Sequence, residues 1–212
     1  MKNSAAGKPA LVMNGLCVNQ LRFMQRGPYT FSVPSATVFG LSGSSGSGKT
    51  LLLRAVCDLD ESSGEVTLDG VSSKTLSAPE WRRRVAWLPA ESHWWYETVG
   101  AHFWKQPESN WLKTMGFGEE VLRWEISRLS TGEKQRLAIL RLLQHEPRAL
   151  LLDEPTASLD KNNMKTVESF LLEYIRQKNG LAIWVSHDSE QLERVAVCHY
   201  ALLLGGEMRQ LR

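Results

Sequence analysis

Four short apolar runs, Thr37–Leu41, Val85–Leu88, Ala149–Leu152 and Leu181–Val185, lack the polar alternation of a half-wetted strand. A strand covered on both faces reads as a continuous apolar stretch, so these runs predict a parallel sheet with helices on either side. Helix-length amphipathic segments such as Leu51–Leu59 and Leu137–Leu143 lie between them, giving the alternation of an α/β domain. The stretch from Gly64 to Gly70 differs. There Val66 and Leu68 alternate with polar residues ahead of a turn-forming Asp69-Gly70, which predicts an antiparallel piece beside the main sheet.

Two of the apolar runs lead into chemistry. The first is followed by Gly43-Ser44-Ser45-Gly46-Ser47-Gly48-Lys49-Thr50, which fits the pattern G-x-x-x-x-G-K-[ST] and opens the Leu51–Leu59 segment. Glycines let the backbone curl so that successive N–H groups face an anion. The helix N-terminus adds its positive end, and Lys49 adds a full charge. Thr50 is placed to offer a hydroxyl to Mg²⁺. The third run ends in Asp153-Glu154-Pro155. Asp153 is expected in the magnesium shell. Glu154, one residue on and so directed to the other side of the strand, is expected to orient and deprotonate an attacking water.

Composition narrows the partners. The chain has 212 residues with 25 Lys and Arg against 23 Asp and Glu, a net charge of +2. That is too little for a general basic footprint, and no nucleic acid partner is expected. No run approaches the roughly 18–20 apolar residues of a spanning helix, and the opening Met1-Lys2-Asn3-Ser4 reads without a leader, so a cytosolic protein is expected. Cys17, Cys57 and Cys198 are odd in number and far apart among apolar residues; they suggest small core residues and neither disulfides nor zinc.

Further motifs resemble one family, the ATP-binding subunits of ABC transporters. Leu129-Ser130-Thr131-Gly132-Glu133-Lys134-Gln135-Arg136 is similar to the family signature Leu-Ser-Gly-Gly-Gln, Ala157-Ser158-Leu159-Asp160 to its D-loop, and His187 to its switch histidine. The resemblance runs from about Phe31 to Leu211. It implies a P-loop NTPase with a RecA-like parallel-sheet core, flanking antiparallel strands and an inserted small helical subdomain at about 93–128, all within one domain spanning 1–212. It implies ATP and Mg²⁺ as cofactors, with Gly43 to Thr50 on the phosphates and Lys49, Glu154 and His187 in catalysis. It also implies a head-to-tail homodimer in which Ser130, Thr131 and Gly132 of one subunit face the nucleotide of the other. The pair would drive a separate transmembrane permease from the cytoplasmic face of the membrane. Length and the compact lobe look most like small two-component exporters of the iron-efflux type. Ser130 and Glu133 equally fit a helix capping box that needs no ligand.

The sequence also departs from the family. Thr131 stands where the signature has glycine, and its Cβ would penalise a positive φ. Pro89-Ala90-Glu91-Ser92 occupies the place of the Q-loop glutamine, so Glu91 is the candidate substitute. Val18-Asn19-Gln20 occupies the place where the family carries its adenine-stacking tyrosine, leaving Phe23 as the nearest candidate to stack on adenine. Seven of eight tryptophans fall between Trp81 and Trp124. Trp104, Trp111, Leu112 and Trp124 suggest a mini-core, while His93-Trp94-Trp95-Tyr96 suggests a permease-docking surface. A soluble non-transport ABC ATPase and a low-turnover regulatory subunit are the alternative readings.

Overall fold

The computed structural model describes residues 14–204 and 206–212; the amino-terminal stretch read as lacking a leader lies outside them. In chain order the elements are β1 (Gly15–Phe23), β2 (Arg26–Pro34), β3 (Val38–Ser42), α1 (Lys49–Val56), β4 (Ser62–Leu68), β5 (Val71–Ser72), α2 (Ala78–Arg84) and β6 (Val85–Leu88). They continue with α3 (Ser109–Thr114), α4 (Thr131–Leu143), β7 (Ala149–Asp153), α5 (Lys161–Gln177), β8 (Leu181–Val185), α6 (Ser189–Val195), β9 (Cys198–Leu202) and β10 (Met208–Gln210).

All four apolar runs become neighbours in a six-stranded sheet of order β10-β9-β3-β8-β7-β6, in which only β10 runs antiparallel. The reason they are apolar throughout is visible in their packing. Leu150, Leu152, Ala182 and Trp184 enter one core with α4, α5 and α6, while Ala149, Leu151, Leu181 and Ile183 enter a second core with α1 and the smaller sheet. Alternate residues thus serve opposite faces, and both faces are dry. Gly64–Gly70 behaves as expected: β4 joins β1, β2 and β5 in an antiparallel sheet, turning at Asp69 (φ 49°) and Gly70 (φ 81°). Positive φ at both central positions is the geometry that matches hairpin twist.

Several local expectations change. The first helix ends at Val56, before Leu59, because Asp58 takes a left-handed conformation (φ 57°). Of the cysteines only Cys57 is buried; Cys17 and Cys198 are half-buried. The segment between Pro89 and Leu129 holds one six-residue α-helix and three 3₁₀ turns. Its Val99, Leu112, Met115 and Val121 join the same core as α4 and β7. Trp111 and Trp124 pack against that core, but Trp104 does not: it is 65% exposed and stacks on the His145 ring at 5.8 Å. No helix among the described residues is long and apolar enough to cross a membrane.

Candidate active site

The chain leaves β3 at Ser42 and curls through Gly43 (φ 146°), Gly46 (φ 79°) and Gly48 (φ 103°) into α1. These are conformations that a side chain resists. At Gly43 a Cβ would also strike the Leu202 carbonyl. Ser47 is wholly buried and donates its N–H to the Ser44 carbonyl at 3.2 Å, closing the turn. Lys49, the first residue of α1, lays its ammonium over the loop, donating to the carbonyls of Gly43 (2.7 Å) and Ser44 (3.1 Å). Burial pushes its pKa down, while Glu154 and Asp153 pull it back up.

The parity of β7 puts Asp153 on the same face as Ala149 and Leu151, toward α1, and there Thr50 Oγ1 donates to its Oδ2 at 2.6 Å. Hydroxyl and carboxylate oxygens side by side are the hard donors Mg²⁺ prefers, and a site completed by phosphate oxygens needs few protein ligands. Glu154 does not point to the opposite side of the strand as its position predicts. Its backbone is left-handed (φ 49°), and this turns the carboxylate into the same pocket as Asp153. Its Oε1 is buried without a hydrogen bond, 3.6 Å from Nε2 of the exposed His187. Lys49, Thr50, Asp153, Glu154 and His187 therefore line one cavity of about 290 Å³.

Burial raises the Glu154 carboxyl above its ordinary value, with His187 lowering it in part; burial likewise raises Asp153 against the hydrogen bond from Thr50. A raised pKa makes Glu154 a better base, but only above that pKa is it ionised. The acid limb of kcat/KM against pH should therefore lie above the pH of an unperturbed Glu, with activity lost as pH falls through the raised value. Glu154→Gln should remove this limb; a limb retained in the variant would assign it to another group.

The signature-like segment builds a helix start. Ser130 caps α4: its Oγ and N–H both donate to Glu133 Oε2 at 2.8 Å, and the Glu133 N–H returns to Ser130 Oγ at 3.3 Å. Thr131 sits in the first turn without a positive φ, so the penalty expected from its Cβ does not arise. At Gly132 a Cβ would crowd Leu159 (3.2 Å) and the Ser158 carbonyl (3.3 Å), so the D-loop-like segment packs directly on this end of the helix. Ser130, Thr131 and Gly132 line a different cavity from Lys49 and Glu154. A single chain does not bring the two sets together.

Among the departures, Phe23 belongs to the core, 3% exposed and stacked on Tyr29 at 5.4 Å, and so has no free face for a base. Ala90 lines the cavity of Lys49 and Glu154, whereas the exposed Glu91 does not. Two contacts escaped the sequence reading. Ser92 Oγ donates to Gln135 Oε1 on α4 at 2.8 Å, tying the Pro89–Ser92 segment to the signature helix. Arg26 of β2 donates to the carbonyls of Ser47 and Gly46. Neither lies in a local motif that could have pointed to it.

The family model described as ABC transporter matches residues 27–157, more than half of the chain. The chain belongs to the ABC transporter family. It is an ATP-binding and ATP-hydrolysing subunit of that family. It is 30% identical over 194 residues to the probable iron export ATP-binding protein FetA of Escherichia coli K12, covering 86% of each chain. It is 35% identical over 185 residues to the phosphonates import ATP-binding protein PhnC of Wolinella succinogenes, covering 75% of this chain and 67% of that one. The methionine import ATP-binding protein MetN of Vibrio cholerae is 32% identical over 192 residues, but this chain spans only 55% of it. Among solved structures, cbiO1 from Clostridium perfringens, part of the ABC transporter complex cbiONQ, superposes with a TM-score of 0.76 at 22% identity. That match covers 94% of this chain and 87% of the other. An ATP-bound bacterial Atm1-family ABC exporter superposes with a TM-score of 0.81 at 21% identity, covering 97% of this chain and 41% of the other. These structural likenesses agree with the P-loop ABC fold expected from the motifs.

Proposed function

We propose that this ABC subunit binds MgATP at the loop Gly43–Thr50, closes as a homodimer around two nucleotides, and drives a separate membrane permease from the cytoplasmic face. The observation that carries the reading is the meeting of Lys49, Thr50, Asp153, Glu154 and His187 in one cavity while Ser130, Thr131 and Gly132 line another. A second copy, reversed, supplies the missing half to each. Thr50 and Asp153 would hold Mg²⁺, which when bound offsets the phosphate charge. Lys49 leaves its loop carbonyls for the phosphates. Glu154 takes the proton of the attacking water, and His187, 3.6 Å away, orients that carboxylate and the terminal phosphate. Light scattering with and without ATP tests the dimer: a chain that stays monomeric at saturating nucleotide overturns it.

The docking face supported best is the aromatic groove beside β6, where Trp87, Trp95, Tyr96, Phe103 and Trp104 line a cavity of about 770 Å³. Its shape is set by His102. The imidazole Nε2 accepts the N–H groups of Trp95 (3.0 Å) and Tyr96 (2.9 Å), so the proton resides on Nδ1, which donates to the Thr98 carbonyl at 2.9 Å. Arg141 of α4 stacks on Trp94 (4.4 Å) and Trp95 (4.9 Å). Trp94 is half-buried against the main core, while Trp95 is 64% exposed. Exposed aromatics over an apolar groove are the anchors expected of an interface. Trp95→Ser with Trp104→Ser should leave basal ATPase activity and ATP affinity intact and abolish co-purification with the membrane partner. Retained co-purification would remove the groove from the interface. A small exporter, as in the resemblance to FetA, is the favoured setting; the substrate belongs to the permease.

A further inference from the structure

The outer side of the phosphate loop is held by a residue from the other sheet. Arg26 opens β2, and its guanidinium donates from Nη1 to the Ser47 carbonyl at 2.5 Å and from Nη2 to the Gly46 carbonyl at 3.1 Å. It also covers Gly48: a Cβ there would stand 3.0 Å from Nη1 and 3.1 Å from both Cζ and Nε, so the planar face of the group lies against that glycine. Two parallel donors from one rigid fork are a geometry that lysine cannot reproduce. Each donor is charged, which roughly doubles the strength of a hydrogen bond.

The consequence follows from the trans peptide. Its C=O and N–H lie in one plane and point in opposite directions. The Ser47 carbonyl shares a peptide unit with the Gly48 N–H, so an arginine gripping that oxygen from outside turns the Gly48 amide inward, toward the cavity that Gly48, Lys49 and Thr50 line. The Gly46 carbonyl shares its unit with the Ser47 N–H, which stays on Ser44 and keeps the turn closed. A cation on the carbonyl also polarises the peptide and makes its N–H a stronger donor.

We propose that Arg26 is a positioning residue for nucleotide binding, one that clamps the carbonyls of Gly46 and Ser47 so that the turn stays closed and the Gly48 amide is set for phosphate before the ligand arrives. This rests on the reading of that loop as the MgATP site. Without the clamp the loop must be ordered by the ligand, and affinity falls while the chemistry of the bound state is unchanged.

The test is calorimetry of the full chain with MgATP and with magnesium tripolyphosphate, alongside KM and kcat for ATP hydrolysis. Arg26→Ala should weaken both ligands by a common factor of about ten, with KM rising in step and kcat within about twofold. Arg26→Lys should recover part of the loss, since it restores one charged donor and not the fork. Unchanged affinity in Arg26→Ala, or a fall in kcat at constant KM, overturns the proposal. If Arg26→Ala does not fold, Arg26→Lys and Arg26→Gln carry the same measurement by the same criteria. Wild-type protein that binds no MgATP would instead overturn the nucleotide site itself. Wild-type binding with indifferent Arg26 variants overturns only the clamp.

Discussion

Lys49→Ala should lose MgATP binding by roughly a hundredfold or more in Kd, because each charge-assisted contact to phosphate contributes about 1.5–3 kcal/mol and the proposed site sets the ammonium against two phosphate groups. The substitution leaves the rest of the loop in place. Gly43, Gly46 and Gly48 keep their backbone, and the Ser47–Ser44 turn does not involve the lysine. The carbonyls released at Gly43 and Ser44 lie at an accessible surface and can be taken by water. The apo variant should therefore unfold at nearly the wild-type temperature while calorimetry shows no saturable binding at micromolar nucleotide. Wild-type affinity in Lys49→Ala would sink the assignment of this loop to phosphate.

Glu154→Gln separates binding from turnover. The amide keeps the size of the carboxylate and its place in the cavity, and it removes the group proposed to abstract the proton of the attacking water. Loss of a general base lowers rates by about 10²–10⁴-fold. ATP affinity should be unchanged or slightly tighter, since a buried carboxylate near the incoming phosphate is gone. Nucleotide-bound dimer should accumulate, because hydrolysis no longer reopens it. Single-turnover kinetics and light scattering on the same sample decide the matter. A variant that hydrolyses at the wild-type rate moves the base elsewhere, and one that neither binds nor dimerises shows that Glu154 was needed for the ground state.

The parts of the site that the sequence made legible are those where a residue's role depends on its own neighbours in the chain. The loop from Gly43 to Thr50, the strand end at Asp153-Glu154 and the capping box of Ser130 and Glu133 are each read within about eight residues, and each has the local geometry that its pattern demands. The parity rule failed at Glu154 for a local reason too: the strand stops one residue earlier, and a left-handed turn replaces alternation. What could not be read was pairing across the fold. Arg26 meets Ser47 only because the antiparallel sheet packs on α1, and Ser92 meets Gln135 only because the Pro89–Ser92 segment crosses the signature helix. Trp104 shows the same limit from the other side. Its hydrophobicity argued for a core, but the nearest surface available to it was His145.

Helix α4 touches three places at once. Ser130 and Glu133 shape its beginning, Gln135 in its body holds Ser92, two residues from Ala90 in the cavity of Lys49 and Glu154, and Arg141 near its end lies over the exposed Trp95 ring of the proposed docking groove. Thirteen residues make a rod of about 20 Å, stiff on the scale of these contacts. Two equilibria acting on one rigid body are thermodynamically linked, and the linkage is symmetric: by whatever factor nucleotide changes the affinity of the groove for its partner, the partner must change the affinity for nucleotide. The measurement of one coupling therefore fixes the other, and a Ser92→Ala substitution that cuts the tie would reduce both by the same amount.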